Sequence, residues 1–288
     1  MKNLAKFGPG GNSSLFAAKG HKSSLEAPLW VKEMGLDAYE YECGKGVNAS
    51  LETFAAIGIN GALHGVKMSL HAPYFISLSS VEPQKRVNSV GYIIQSLEAA
   101  KALGADTIVV HAGSAGKIDR ETAMSYARET VEMTLEKSHE LGLDGIRIGL
   151  ETMGKINQLG TLDEIIDLCT LDRRLVPVID FGHLYARSHG EDMSTSDKVK
   201  NAFEKVSQKL GGDIADTMHC HFSCIEFSNG GEVKHLTFEN TAFGPEPSMF
   251  AKALAELGVA PTVICESAGT QDIDALFLKQ QYLKGLNI

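Results

Sequence analysis

The sequence predicts a single (β/α)8 TIM barrel over residues 1–288, with parallel strands and a small hairpin insert after the seventh. Two observations carry that reading. Short apolar runs alternate with longer segments of helical spacing along the whole chain, the pattern of parallel strands joined by right-handed crossovers. Six successive runs also end on His, Glu or Asp, at the strand ends where such barrels build their sites. An open, doubly wound sheet is the other topology that this alternation allows.

In chain order the strands are read in LAKFG (4–8), AYEYEC (38–43), MSLHAP (68–73) and TIVVHAG (107–113). They continue in IRIGLET (146–152), VPVIDFG (176–182), DTMHCHFS (216–223) and PTVICES (261–267). Between them lie amphipathic segments. In EPQKRVNSVGYIIQSLEAAKALG, residues Val87, Val90, Ile93, Ile94, Leu97, Ala100 and Leu103 recur mostly at steps of three and four, which makes one apolar stripe. DRETAMSYARETVEMTLEKSHELG behaves alike, and both segments stop at Leu-Gly, a common helix terminus. After strand seven, CIEFSNGGEVKHLTFE (224–239) departs from the alternation, and its Asn229-Gly230-Gly231 reads as a hairpin turn.

Bulk composition narrows the function. A formal charge of −9 argues against a general polyanion binder, since sequence-independent DNA affinity comes from Lys and Arg on phosphates. Positive charge brought by bound cations would escape that argument. No run approaches the roughly 20 apolar residues of a membrane span, and the start MKNLAKFGPGG lacks a secretory pattern, so a cytoplasmic monomer without membrane contact is expected. Five cysteines without CxxC spacing argue against a disulfide framework or a zinc knuckle. GPGGNS lacks the Lys-Ser/Thr that a phosphate-binding loop requires.

The strand ends point to metal. SLHAPY places His71 there, VVHAGS His111, GLETMGK Glu151, and VIDFGH Asp180 and His183. MHCHFS contributes His219 and His221, and ICESAG Glu266. Alternate residues share a strand face, so both histidines of MHCHFS can face inward, with His221 nearer the rim and His219 a layer deeper. Any one such histidine is more often a hydrogen-bonded core residue. Together, these groups without matching Lys or Arg would leave carboxylates uncompensated, which divalent cations resolve. One ion takes about three or four protein ligands. The surplus, with His235 from the insert, implies two or three ions sharing a carboxylate, for which Glu151 is central.

SLHAPY, VVHAGS, LETMGK followed by LGTLDE, IDFGH, HCHFS and ICES resemble, in order and spacing, the motifs of the endonuclease IV family of abasic-site DNA repair enzymes, from about strand three to strand eight. The resemblance implies zinc, with manganese or cobalt as alternatives. It implies one ion on His71, His111 and Glu151, a second on Glu151, Asp180, His221 and Glu266, and a third on His183 and His235. An aspartate of the family's third site corresponds to Val233 here, and Glu232 lies on the opposite face of a regular strand. The implied chemistry is hydrolysis of the phosphodiester 5′ to a baseless sugar, with Glu151 and Glu266 as catalytic residues and DNA containing abasic sites as partner. Tyr74 matches a residue that enters the DNA at the lesion, with ordinary packing as its other reading. Lys155, Asn157 and Arg187 are candidate phosphate contacts. No arginine follows strand two in the position where the family probes DNA; Lys45 stands nearby.

The alternative is a single-metal sugar isomerase or epimerase on the same barrel, which would use Glu151, Asp180, His221 and Glu266 alone. Such an enzyme has no evident need for His71, His111, His183 and His235. A non-catalytic metal-binding module is the third reading.

Overall fold

The computed structural model describes residues 3–288. Its strands are β1 (Lys6–Pro9), β2 (Ala38–Glu42), β3 (Lys67–His71), β4 (Thr107–His111), β5 (Arg147–Glu151), β6 (Leu175–Asp180), β7 (His219–Phe222), β8 (Cys224–Ser228), β9 (Gly231–Leu236) and β10 (Thr262–Cys265). The helices are α1 (Ser14–Ala18), α2 (Ala27–Glu33), α3 (Leu51–His64), α4 (Pro83–Leu103), α5 (Arg120–Glu140), α6 (Leu162–Cys169), α7 (Phe181–Arg187), α8 (Ser196–Leu210), α9 (Gly212–Asp216), α10 (Pro247–Leu257) and α11 (Gln271–Gly285). Eight strands form one parallel sheet in the order β1-β10-β7-β6-β5-β4-β3-β2, and β8 pairs antiparallel with β9 outside it.

The sheet closes on itself. Gly10 bridges Glu40 in parallel, the Gly11 amide donates to the Glu40 carbonyl at 2.9 Å, and the Asp37 amide donates to Phe7 at 2.8 Å. A Cβ on Gly8 would lie 1.7 Å from the Ala38 carbonyl oxygen, so this seam requires glycine. The expected barrel is the observed fold, and the open sheet is not.

Local chemistry starts and stops the helices as the sequence suggests. Ser50 accepts from the Thr53 amide, Asp119 from Thr122, and Thr161 forms a capping box with Glu164. Gly104 ends α4 in the left-handed conformation at φ 71°. Alternate strand residues such as Ile108 and Val110 are fully buried in the apolar layer that holds Leu97, Ala123 and Ala127 of the helices. The opposite alternation points into the barrel, and at the strand ends it carries His71, His111, Glu151, Asp180 and His221.

Two boundaries differ from the sequence reading. β7 is shorter than 216–223, because Asp216 ends the short helix α9. β6 runs directly into α7, with Asp180 as the N-cap residue, so His183 sits in a helical first turn and not beyond a strand. Among the described residues, no helix is long and apolar enough to cross a membrane. All five cysteines are buried thiols without a disulfide.

Candidate metal centre

The rim builds from strand ends that register against one another. His111 lies beside Glu151, Asp180 beside His221, and Glu42 beside His71. Glu151 is fully buried and forms the hub. Its Oε2 lies 2.9 Å from His111 Nε2 and 3.4 Å from His71 Nε2, while Oε1 lies 3.1 Å from His221 Nδ1. His221 Nδ1 also lies 3.3 Å from Glu266 Oε1.

The imidazoles are oriented from behind. His71 Nδ1 donates to the Ala72 carbonyl at 2.8 Å, and His183 Nδ1 to the Thr152 carbonyl at 2.9 Å. A carbonyl only accepts, so each ring carries a proton on Nδ1 and turns Nε2 to the cleft. Asp180 spends Oδ1 on the His183 amide at 2.6 Å, which leaves Oδ2 buried with no hydrogen bond, as is Glu151 Oε2.

The insert supplies the remaining donors. Its ladder slips between Glu226, opposite Lys234, and Phe227, opposite Glu232, so Val233 is the extra residue of a β-bulge. On a regular strand, residues three apart face opposite ways; the bulge brings Glu232 and His235 to one side. Glu232 Oε2 lies 3.5 Å from His183 Nε2 and Oε1 3.8 Å from His235 Nε2, whereas Val233 is exposed. Gly231, at φ 87°, seats the hairpin on the loop after β5, where a Cβ would meet the Gly154 carbonyl at 2.2 Å.

Three donor groups thus gather around one cleft: His71, His111 and Glu151; Glu151, Asp180, His221 and Glu266; and His183, Glu232 and His235. Their chemistry, imidazole and carboxylate with buried carboxylate oxygens left unpaired, fits divalent cations. Electrostatics agrees. Burial disfavours the His71 cation, yet Glu151 and Glu42 bring it up to about 10. Burial would likewise raise the Glu151 carboxyl, yet His221 and His111 hold it well below the usual range. Glu266 is pushed up to about 8, by burial first and then by Glu151, Asp180 and Glu42 against the pull of His221. The cluster is short of positive charge.

The cleft holds about 550 Å³ and is lined also by Gly10, Glu42, Tyr74, Met153, Lys155 and Gln158. Tyr74 does not stand free. Its hydroxyl donates to Glu42 at 2.9 Å and its ring stacks on His111 at 5.5 Å. Of the candidate phosphate contacts, exposed Lys155 lines the cleft, whereas Arg187 is consumed as a strut. Its guanidinium donates to the carbonyls of Met153, Lys155, Ile156 and Gln158 at 2.7–3.2 Å. Asn157 is exposed, and its carbonyl accepts from the Ala115 amide at 3.0 Å. Glu40 and Glu42 escaped the sequence reading, although AYEYEC carries acids at every second position of a strand covered on both faces.

A family model described as "Xylose isomerase-like TIM barrel" matches residues 28–285. The chain belongs to this family. The xylose isomerase-like barrel is 32% identical over 254 residues to an uncharacterized protein of Methanocaldococcus jannaschii, covering 88% of this chain and 89% of that one. It is also 33% identical over 180 residues to a "Probable endonuclease 4" of Acholeplasma laidlawii, covering 61% of this chain and 58% of the relative. Among solved structures, a D-tagatose 3-epimerase-like protein superposes with a TM-score of 0.71 at 21% identity, over 98% of both chains. Endonuclease IV of Thermus thermophilus superposes with a TM-score of 0.64 at 16% identity, over 98% of this chain and 99% of that one. The structural matches speak for the fold, and the xylose isomerase-like barrel is of an enzyme superfamily.

Proposed function

We propose that this protein is a metal-dependent DNA repair endonuclease that hydrolyses the phosphodiester 5′ to abasic sites. The observation that carries the reading is the surplus of donors. Glu151, Asp180, His221 and Glu266 suffice for one cation, and His71, His111, His183, Glu232 and His235 stand around them in two further groups. Bound divalent cations, zinc in our reading, supply positive charge to phosphate oxygens and acidify water for attack on phosphorus.

The protein's own residues do the rest. Glu151 ties the first two donor groups together, and Glu266, between His221 and His235, is placed to orient a water molecule in the cleft. Asp180 and the Thr152 carbonyl fix His183. Tyr74 covers His71 and His111 and offers a half-exposed ring to a base step that has lost its stacking partner. With Arg187 occupied, Lys155 is the cation of the cleft wall, so phosphate affinity rests on the ions.

The test is incubation of the zinc-loaded protein with a duplex carrying one stable abasic analogue, beside the undamaged duplex. One cut on the 5′ side, leaving a 3′-hydroxyl and lost in Glu151→Gln, is expected. An intact duplex at full zinc loading would overturn the reading. Sugar epimerisation is the second reading, favoured by Glu42 in the cleft wall, where a carboxylate repels a nucleic-acid backbone. It requires one ion per chain and turnover of a ketohexose.

A further inference from the structure

Beneath the rim lies a second layer of ionisable groups that the cation ligands do not account for. Glu40 of β2 and His219 of β7 are buried at 0% and 4% exposure. Glu40 Oε2 accepts from the Ser69 hydroxyl at 2.7 Å and lies 2.9 Å from His219 Nε2, while Oε1 lies 2.9 Å from His221 Nε2. His221 is therefore held between carboxylates, with Nε2 against Glu40 and Nδ1 against Glu151 and Glu266.

We infer that Glu40 is a positioning residue that selects the Nε2–H form of His221 and so presents the Nδ1 lone pair to the cation of the second donor group. The argument is one of donors and acceptors. Carboxylates face both ring nitrogens, and Nδ1 is hydrogen-bonded to Glu151 at 3.1 Å. A cation held by Glu151 and Glu266 would displace the proton from Nδ1, and the proton that remains would be on Nε2, where the Glu40 carboxylate can accept it. The Ser69 hydroxyl donates to Oε2, and the His219 and His221 rings 2.9 Å away lower the cost of burying the charge electrostatically. Ring N–H groups stand off the direct line to the oxygens, since His219 Nε2 and His221 Nε2 make no linear hydrogen bond. The alternation of β2 and β7 makes the arrangement available, because Glu40 and His219 sit two residues below Glu42 and His221 on the inward faces.

This inference rests on the cation reading of the rim and not on the identity of the substrate. Glu40→Gln is nearly isosteric, and its amide can donate to Nε2, which would place the proton on Nδ1 and block the ligand atom. The prediction is a 10- to 100-fold loss of zinc affinity at one site per chain, by competition with a calibrated chelator. The metal-free variant should melt below the metal-free parent, because His219 and His221 lose a charged acceptor, so affinity is compared at a temperature where both are folded. Glu40→Asp keeps the charge and should recover part of the affinity. In 15N-histidine spectra of the loaded parent, His221 should show its proton on Nε2. Parental affinity in Glu40→Gln, or a proton on Nδ1 of loaded His221, overturns the role of Glu40. So does an additional ion bound among Glu40, His219 and His221. A parent that takes up no zinc overturns the cation reading itself, and failure to cut DNA at full loading overturns only the proposed substrate.

Discussion

The Asp180 side chain caps the helix that presents His183. Oδ1 accepts from the His183 amide at 2.6 Å, and Oδ2 remains buried without a hydrogen bond and 3.5 Å from the His183 ring. One carboxylate thus starts a helix and offers an oxygen to the cleft. An apolar strand ends on an acid and an imidazole because both jobs must be done at one point of the chain.

The two jobs are separable. Asp180→Asn retains a carbonyl oxygen for the cap but replaces the free oxygen by a donor. It should keep stability within about 1 kcal/mol of the parent's metal-free value, while one cation per chain is lost. Asp180→Ala should lose in addition about 1 kcal/mol of cap energy. Urea melts and metal analysis of both variants decide this; equal zinc content in parent and Asp180→Asn excludes Asp180 as a ligand.

The β-bulge makes Glu232, and not its neighbour, the partner of His183 and His235. Glu232→Gln should lower the zinc content by one ion per chain. Val233→Asp, exposed and on the far side of the bulge, should leave it unchanged. The reverse outcome would mean that the hairpin binds in another register.

Tyr74→Ala should reduce incision of abasic duplex by about 10- to 100-fold, from the loss of about 1–3 kcal/mol of stacking, with zinc content unchanged. Tyr74→Phe, which gives up only the bond to Glu42, should retain most activity. Incision by Tyr74→Ala at the parental rate would leave Tyr74 as packing alone.

Glu164 predicts a pH dependence of stability away from the cleft. Burial raises its pKa, but Arg120 at 2.7 Å and the amides of Gly160 and Thr161 at 2.9 Å lower it from 4.5 to about 2. A carboxylate whose folded pKa is depressed stabilises above its unfolded value, and that contribution is lost as pH falls from 4.5 toward 2. Allowing for partial exposure, the contribution is about 2 kcal/mol. Parent should therefore exceed Glu164→Gln in urea stability at pH 7, and the gap should narrow through this window. A constant gap would refute the assignment.

Strand and helix alternation, the insert and the gathering of His and acidic side chains at the rim were legible because they depend on short-range pattern. A period of two places every second residue on one face, and the strand direction decides which end meets the loops. His71, His111, Glu151, Asp180, His221 and Glu266 gather at the rim on that logic, whereas His183 stands in the first turn of α7 and His235 on the insert.

Tertiary structure decided the rest. Whether Glu232 or Val233 turns inward depends on a single extra residue in the β8–β9 ladder. Arg187 is withdrawn from any ligand because loop carbonyls 29 to 34 residues away in sequence claim its donors. Glu40 and Glu42 are drawn into the site by barrel closure, which covers both faces of β2 and sets the acids against histidines of β3 and β7. Chain-local pattern says which way a side chain can point; which distant group satisfies its charge and hydrogen bonds is settled only when the strands meet.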